Sequence, residues 1–251
     1  MPIDITAETT KEEIGAEEAV VLSPQETEEL REMMVAGVLF GRKKSRTHPK
    51  MGKFIFTYSK GIAVFDSQQT LSLLNKAISF LKELVDKKLP ILAVGTQPAA
   101  KDLLENFAKK FGFSYVTERW LGGTLTNFQT IHKRIDYFKK IKTDKATGKL
   151  DKYTKKERLL IDREAEKMAI CFTGIENLNQ LPAAVLVVDA AAHETAVREA
   201  KRVKIPVVAI INNDTNPDGL NYPIPANDNL RSSLIWILSR IERGLGEISN
   251  S

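Results

Sequence analysis

What the chain lacks narrows the field first. A single cysteine, Cys171, leaves no internal disulfide to form and points to a reducing cytosol. It reads as a buried, inert thiol rather than a nucleophile. Only three histidines are present, His48, His132 and His193. None stands with a carboxylate or cysteine at ligand spacing, so no metal is expected. Long apolar runs are missing too: AAVLVV at 183–188 falls far short of the ~20 residues a spanning helix needs. No charged start leads into an apolar h-region, so no secretory signal is expected, and the acid-rich N-terminus is unlike a transit peptide. Neither G-x-G-x-x-G nor G-x-x-x-x-G-K-[ST] occurs.

What is present supports a packed protein. Of 251 residues, 43% are hydrophobic and 27% charged, enough for one large domain or two modest ones. The net charge of +5 hides an asymmetry. Residues 1–32 hold ten acidic and two basic residues, a net of −8, which leaves +13 on the rest. A basic body behind an acidic leader suggests an anionic partner for the body.

Five segments follow from the pattern. Residues 1–22 are polar and acidic, without helical apolar spacing, and read as a mobile tail. Residues 23–128 form the first part of an α/β domain. In it Ser23, Pro24 and Glu26 open a helix in the manner of a capping box, and Gly37 ends it. Phe54–Tyr58 and Ile62–Phe65 read as a hairpin turning at Lys60-Gly61. Apolar residues at Leu71, Leu74, Ile78, Leu81 and Val85 predict a helix over 67–87. PILAVG (90–95), a helix over 97–111 and FSYVT (113–117) follow. Residues 129–171 are an inserted pair of helices around a polar turn. Their apolar positions are Ile131, Ile135, Phe138 and Ile141, then Leu159, Leu160, Ala165, Met168 and Ala169. From Lys133 to Lys167 they carry thirteen basic and seven acidic residues. Residues 172–246 complete the domain with AAVLVVDA (183–190), a helix over 191–203, IPVVAII (205–211) and a last helix over 228–243 capped by Asn227 or Asp228. Residues 247–251 are a tail. Continuous apolar strands alternating with helices imply a mostly parallel sheet covered on both faces.

Two chemistries compete. Gly95-Thr96, Asp189 and Asn212 to Thr215 all follow apolar strands, where doubly wound folds bind ligands. These residues suit a nucleotide or sugar-phosphate enzyme, or equally helix caps and turns. The stretch RKKSRTHPKMGK offers Arg42, Lys43, Lys44, Arg46, Lys50 and Lys53 on what reads as a basic loop. Cations spaced along a path suit an RNA backbone better than a pocket does. Arg119, Lys133 and Arg134 make a second basic area. In RWLGGTLTNF (119–128), Gly122 and Gly123 permit a sharp turn and Thr124 or Thr126 can cap the helix that follows. Trp120 reads as a packing residue and Arg119 as a phosphate contact.

Taken together, RWLGGTLTNF, THPKM, AVREAKRVKIPVVAI and YPIPANDN resemble the bacterial small-subunit ribosomal protein S-two family, from about Ser23 to Ile241. The resemblance implies a flavodoxin-like, doubly wound α/β domain with an inserted antiparallel helical hairpin, a coiled coil. It implies a structural constituent of the small ribosomal subunit that binds small-subunit ribosomal RNA. It also implies contact with neighbouring small-subunit proteins, including the large mRNA-binding first protein, and a place in the cytoplasmic ribosome. No enzymatic activity, cofactor, small-molecule substrate or membrane comes with it. The chain departs from the family pattern in places. GVLFGR puts Leu39 and Arg42 where the family's G-x-H-F-G-H has histidines. GTQP replaces G-T-K-K, and Asn212-Asn213-Asp214 replaces D-T-N.

Overall fold

Helix ends and turns lie where the chain supplies special backbone residues. The computed structural model describes residues 24–246; the expected tails at 1–22 and 247–251, and the Ser23 cap, lie outside the described residues. Helix α1 (Pro24–Ala36) stops at Gly37, whose φ of +74° few other residues adopt. Strand β1 (Phe40–Lys43) follows, then two short 3-10 turns at Lys44–Arg46 and Pro49–Phe54. The stretch expected as a loop is therefore more ordered than its composition suggests. Strands β2 (Ile55–Ser59) and β3 (Ile62–Phe65) form the expected hairpin. Its turn residues Lys60 and Gly61 both have positive φ, as a two-residue turn between twisted strands requires.

Asp66 caps helix α2 (Ser67–Asp86) by accepting from the amides of Gln68 and Gln69. Then β4 (Ile91–Val94), α3 (Lys101–Phe111) and β5 (Ser114–Val116) make the first parallel unit. Helices α4 (Phe128–Ala146) and α5 (Lys155–Phe172) come next. They touch through Lys145 and Asp162 at 2.7 Å and through the rings of Phe138 and Phe172 at 6.3 Å. The stripe of α5 that turns inward is Ile161, Ala165, Met168 and Phe172, at helical spacing. Leu159 and Leu160, expected on that stripe, are 50% and 56% exposed because they lie off it. Cys171 is only partly buried.

The chain then completes its sheet with β6 (Ala184–Val188), α6 (Glu194–Val203), β7 (Val207–Ile211) and β8 (Tyr222–Pro225), and ends in α7 (Arg231–Leu245). Every residue of β4, β6 and β7 is buried, which is why these runs show no polar alternation. β8 hides in the sequence because Pro223 and Pro225 cannot donate to a ladder. At the edge, beside β7 alone, that loss is tolerated.

Two sheets result. The smaller is antiparallel, in the order β1-β3-β2, and the larger is parallel, in the order β5-β4-β6-β7-β8. The larger sheet is flanked by helices, and its order is that of a flavodoxin-like doubly wound fold. The direction of winding reverses between β4 and β6. A crevice therefore opens beyond the carboxyl ends of those strands, and the small sheet's β1 is tied into it.

Candidate nucleic-acid interface

The crevice is closed by the chain's own side chains. Asp189 ends β6 with a φ of +62°; its Oδ1 accepts from the amide of Ala192 at 2.9 Å, and the side-chain amide of Gln97 donates to its Oδ2. His193 is buried and bridges the two strand ends. Its Nε2 accepts from the Thr96 amide at 3.1 Å, which leaves Nδ1–H to donate to the Asp189 carbonyl at 2.8 Å. At Gly95 an added Cβ would lie 2.9 Å from Leu104 and 3.2 Å from Val188. This glycine permits close strand–helix packing and holds no room for a phosphate.

Arg42 completes the closure. Its guanidinium lies 3.1 Å from Asp214, 3.5 Å from Asp228 and 3.6 Å from Asp189. Three carboxylates around one cation leave an excess of negative charge in a buried place. Asp228 relieves it: burial, then the nearby charge of Asp189, push its carboxyl up to about 7, against the opposing pull of Asn212 and Arg42. Asp228 Oδ1 accepts from Asn212 at 2.8 Å, while Oδ2 is buried without a partner and is the natural seat of the proton. Asp228 is thus not a helix cap; it is fully buried and faces the crevice. Asn227 shapes the approach to α7 by accepting from the amides of Asn229 and Leu230, both at 3.1 Å.

Asn213 fastens the small sheet to this closed end. Its side-chain amide pairs with the backbone of Arg42 as a neighbouring strand would, accepting from the Arg42 amide at 2.7 Å and donating to its carbonyl at 3.3 Å. It also donates to the Thr47 hydroxyl at 2.8 Å, and the main-chain carbonyl of Asn213 accepts from the His48 amide at 2.7 Å. Gly41 allows the approach, because a Cβ there would meet the Asn213 oxygen at 3.0 Å.

The remaining cations of this segment therefore stand on a fixed platform. From Met33 to Phe65 the chain has seven Lys or Arg and no Asp or Glu. Lys43, Lys44, Arg46 and Lys53 are exposed. Lys44 lies over the Tyr58 ring at 5.0 Å and Lys53 over the Phe54 ring at 4.8 Å. Lys50 is paired with Asp218, and Arg42 points inward, so the six expected contact residues divide into four open cations and two with carboxylate partners.

The second area surrounds the RWLGG turn. Arg119, Lys133 and Arg134 are exposed, and Arg134 borders a hollow with Leu121, Gly122 and Glu164. The turn is held from an unexpected direction. The Glu199 carboxylate, buried on α6, accepts from Trp120 Nε1 at 3.1 Å and from the amides of Gly123, Leu125 and Thr126 at 2.8, 3.0 and 3.2 Å. The Thr126 hydroxyl adds a fifth bond at 3.2 Å. Burial pushes the Glu199 carboxyl up, but these donors outweigh it and hold it below the usual carboxylate range. Neither threonine caps α4 as expected: Thr124 donates to the Leu121 carbonyl and Thr126 to Glu199. Glu199 was legible in principle, as an acid standing in the α6 stripe with Ala196, Ala200 and Val203.

Among the described residues no group of His, Cys, Asp or Glu is arranged to hold a metal. A family model described as Ribosomal protein S2 matches residues 33–247. The chain is 43% identical over 219 residues to the small ribosomal subunit protein uS2 of Corynebacterium urealyticum, covering 87% of this chain and 81% of that one. It is 41% identical over 213 residues to the uS2 of Acidothermus cellulolyticus, covering 84% and 77%. With the uS2 of Mycobacteroides abscessus the figures are 39% over 220 residues, 86% and 79%. A doubly wound sheet with a self-filled crevice, matched over most of its length, places this chain in the Ribosomal protein S2 family, whose members are structural proteins rather than enzymes.

Proposed function

We propose that this chain is a structural constituent of the small ribosomal subunit and binds small-subunit ribosomal RNA through the acid-free segment at 33–65. The observation that carries this reading is the platform itself. Lys43, Lys44, Arg46 and Lys53 project from elements docked on the sheet by Asn213, with no acidic residue in the segment to answer them. Cations spaced along a surface neutralise phosphates, and held on fixed elements they also set the register of the bound backbone. Arg119, Lys133 and Arg134 form a second contact area beside the RWLGG turn. Neighbouring small-subunit proteins, including the large mRNA-binding first protein, dock on the remaining surface, and the site of action is the cytoplasmic ribosome. No helix among the described residues is long and apolar enough to cross a membrane.

Arg42 and its three aspartates argue against the nucleotide or sugar-phosphate enzyme, since a ligand in that crevice would have to displace a guanidinium from its carboxylates. Sucrose-gradient fractionation of cell lysate tests the proposal. The protein should migrate with small subunits at constant stoichiometry; confinement to the soluble top fractions would refute it.

A further inference from the structure

We propose that Phe56 is a stacking platform for an unpaired RNA base, so that the small sheet takes single-stranded rather than duplex RNA. The inference rests on the reading of residues 33–65 as an RNA interface and adds what the phosphate contacts leave open.

Phe56 is 78% exposed, on the edge strand β2 of the three-stranded sheet. Burying such a ring contributes roughly 1.5–3 kcal/mol to folding, so leaving it in water gives up a gain the core would accept. The strand gives it no cover: β2 is exposed from Phe56 to Ser59, and its register against β3 shifts between Ile55 and Thr57. Two residues along the strand, Tyr58 is 37% exposed beneath Lys44. Every charged side chain of the segment is a cation.

Charge complementarity decides the occupant. A polyanion fits a surface with no acid, and an open aromatic ring among lysines suits one whose bases are accessible. In an A-form duplex the bases are stacked inside the helix, where Phe56 has no face to meet. An unpaired base can lie on the ring while a neighbouring phosphate meets Lys44, which already reaches this strand over the Tyr58 ring.

The test uses the full chain, an oligouridine of roughly 12 nucleotides and an RNA duplex of the same length. Phe56→Leu should weaken oligouridine binding roughly 5- to 100-fold, keep the salt slope and leave duplex binding unchanged. Phe56→Trp should retain affinity, with its fluorescence quenched by oligouridine. Loss of oligouridine affinity and a lower slope in Lys43→Gln/Lys44→Gln, beside an unaltered Phe56→Leu, would overturn stacking while the phosphate reading stands. If neither variant alters binding, the interface itself is refuted. Equal loss on duplex and single strand overturns the proposal, as does Phe56→Leu that binds RNA normally yet is lost from small subunits, which would make the ring a protein contact.

Discussion

Between residues 33 and 65 seven basic side chains have no acidic neighbour in sequence, whereas from 133 to 167 thirteen basic residues are interleaved with seven acidic ones. The structure draws out the difference. Around the helices, Lys145 of α4 meets Asp162 of α5 at 2.7 Å, Lys149 in the turn between them meets Asp144 at 3.7 Å, and Lys142 meets Glu176, just beyond α5, at 2.9 Å. In the acid-free segment, the carboxylates that arrive among the described residues come from distant elements and reach Arg42 and Lys50. A high density of lysine is thus a poor measure of the charge offered to a phosphate; what matters is whether the neighbours neutralise it first.

Removing Glu199 or Arg42, which fasten the roots of the two regions, gives the largest expected effects. Glu199→Ala strands four N–H donors at the root of α4, and urea unfolding should show a loss of about 4 kcal/mol. Arg42→Met leaves the crevice carboxylates without their cation and should cost about 3 kcal/mol. The same variant should leave the salt slope of RNA binding unaltered, which separates Arg42 from the lysines beside it. A fall in slope would place Arg42 among the phosphate contacts and break the distinction.

The pH dependence sharpens the crevice side. Asp228 titrates near 3.8 when unfolded and near 7 in the fold, so over that interval the native state holds the extra proton. Its contribution is therefore full at low pH and is lost as pH rises through about 7, with a slope of up to about 1.4 kcal/mol per pH unit. Asp228→Asn removes that slope. Chemical unfolding between pH 5 and 8 should show the variant gaining on the parent as pH rises; parallel curves would place the proton elsewhere.

The smallest effects compare single lysines. Lys44→Gln should lower the salt slope of RNA binding by roughly 1 and weaken binding about evenly across sequences. Lys145→Gln, which loses a surface pair with Asp162, should leave both the urea midpoint and the salt slope nearly unaltered. Equal slopes for the two would erase the contrast between the regions.

Much of the fold was readable because its signals are local. The buried strands β4, β6 and β7 announce themselves as continuous apolar runs, and Gly37 and the Lys60-Gly61 pair mark a helix end and a turn through backbone conformation alone. What stayed hidden depends on distant partners. β8, with two prolines in four residues, carries no strand pattern of its own, and β7 supplies its ladder on one side. β1 reads as a basic loop because its pairing with β3 lies some twenty residues away. Leu159 and Leu160 share a helix with the inner stripe, but only the position of α4 shows that they fall outside it.

The site divides in the same way. Arg42 and Lys43 are adjacent cations, and nothing in composition sets them apart. Alternation along β1 and the arrival of Asp189, Asp214 and Asp228 from three separate segments commit one to the interior and leave the other to solvent. For RWLGGTLTNF, the two glycines foretold a turn, but the acid that holds it sits 73 to 79 residues further on. The sheet-forming runs, the turns and a basic segment free of acids are written in the local order of residues, because they follow from side-chain polarity and backbone freedom. Which cations stay free and which carboxylates are buried is settled by contacts made in the fold, because charge pairing depends on distances that no linear spacing encodes.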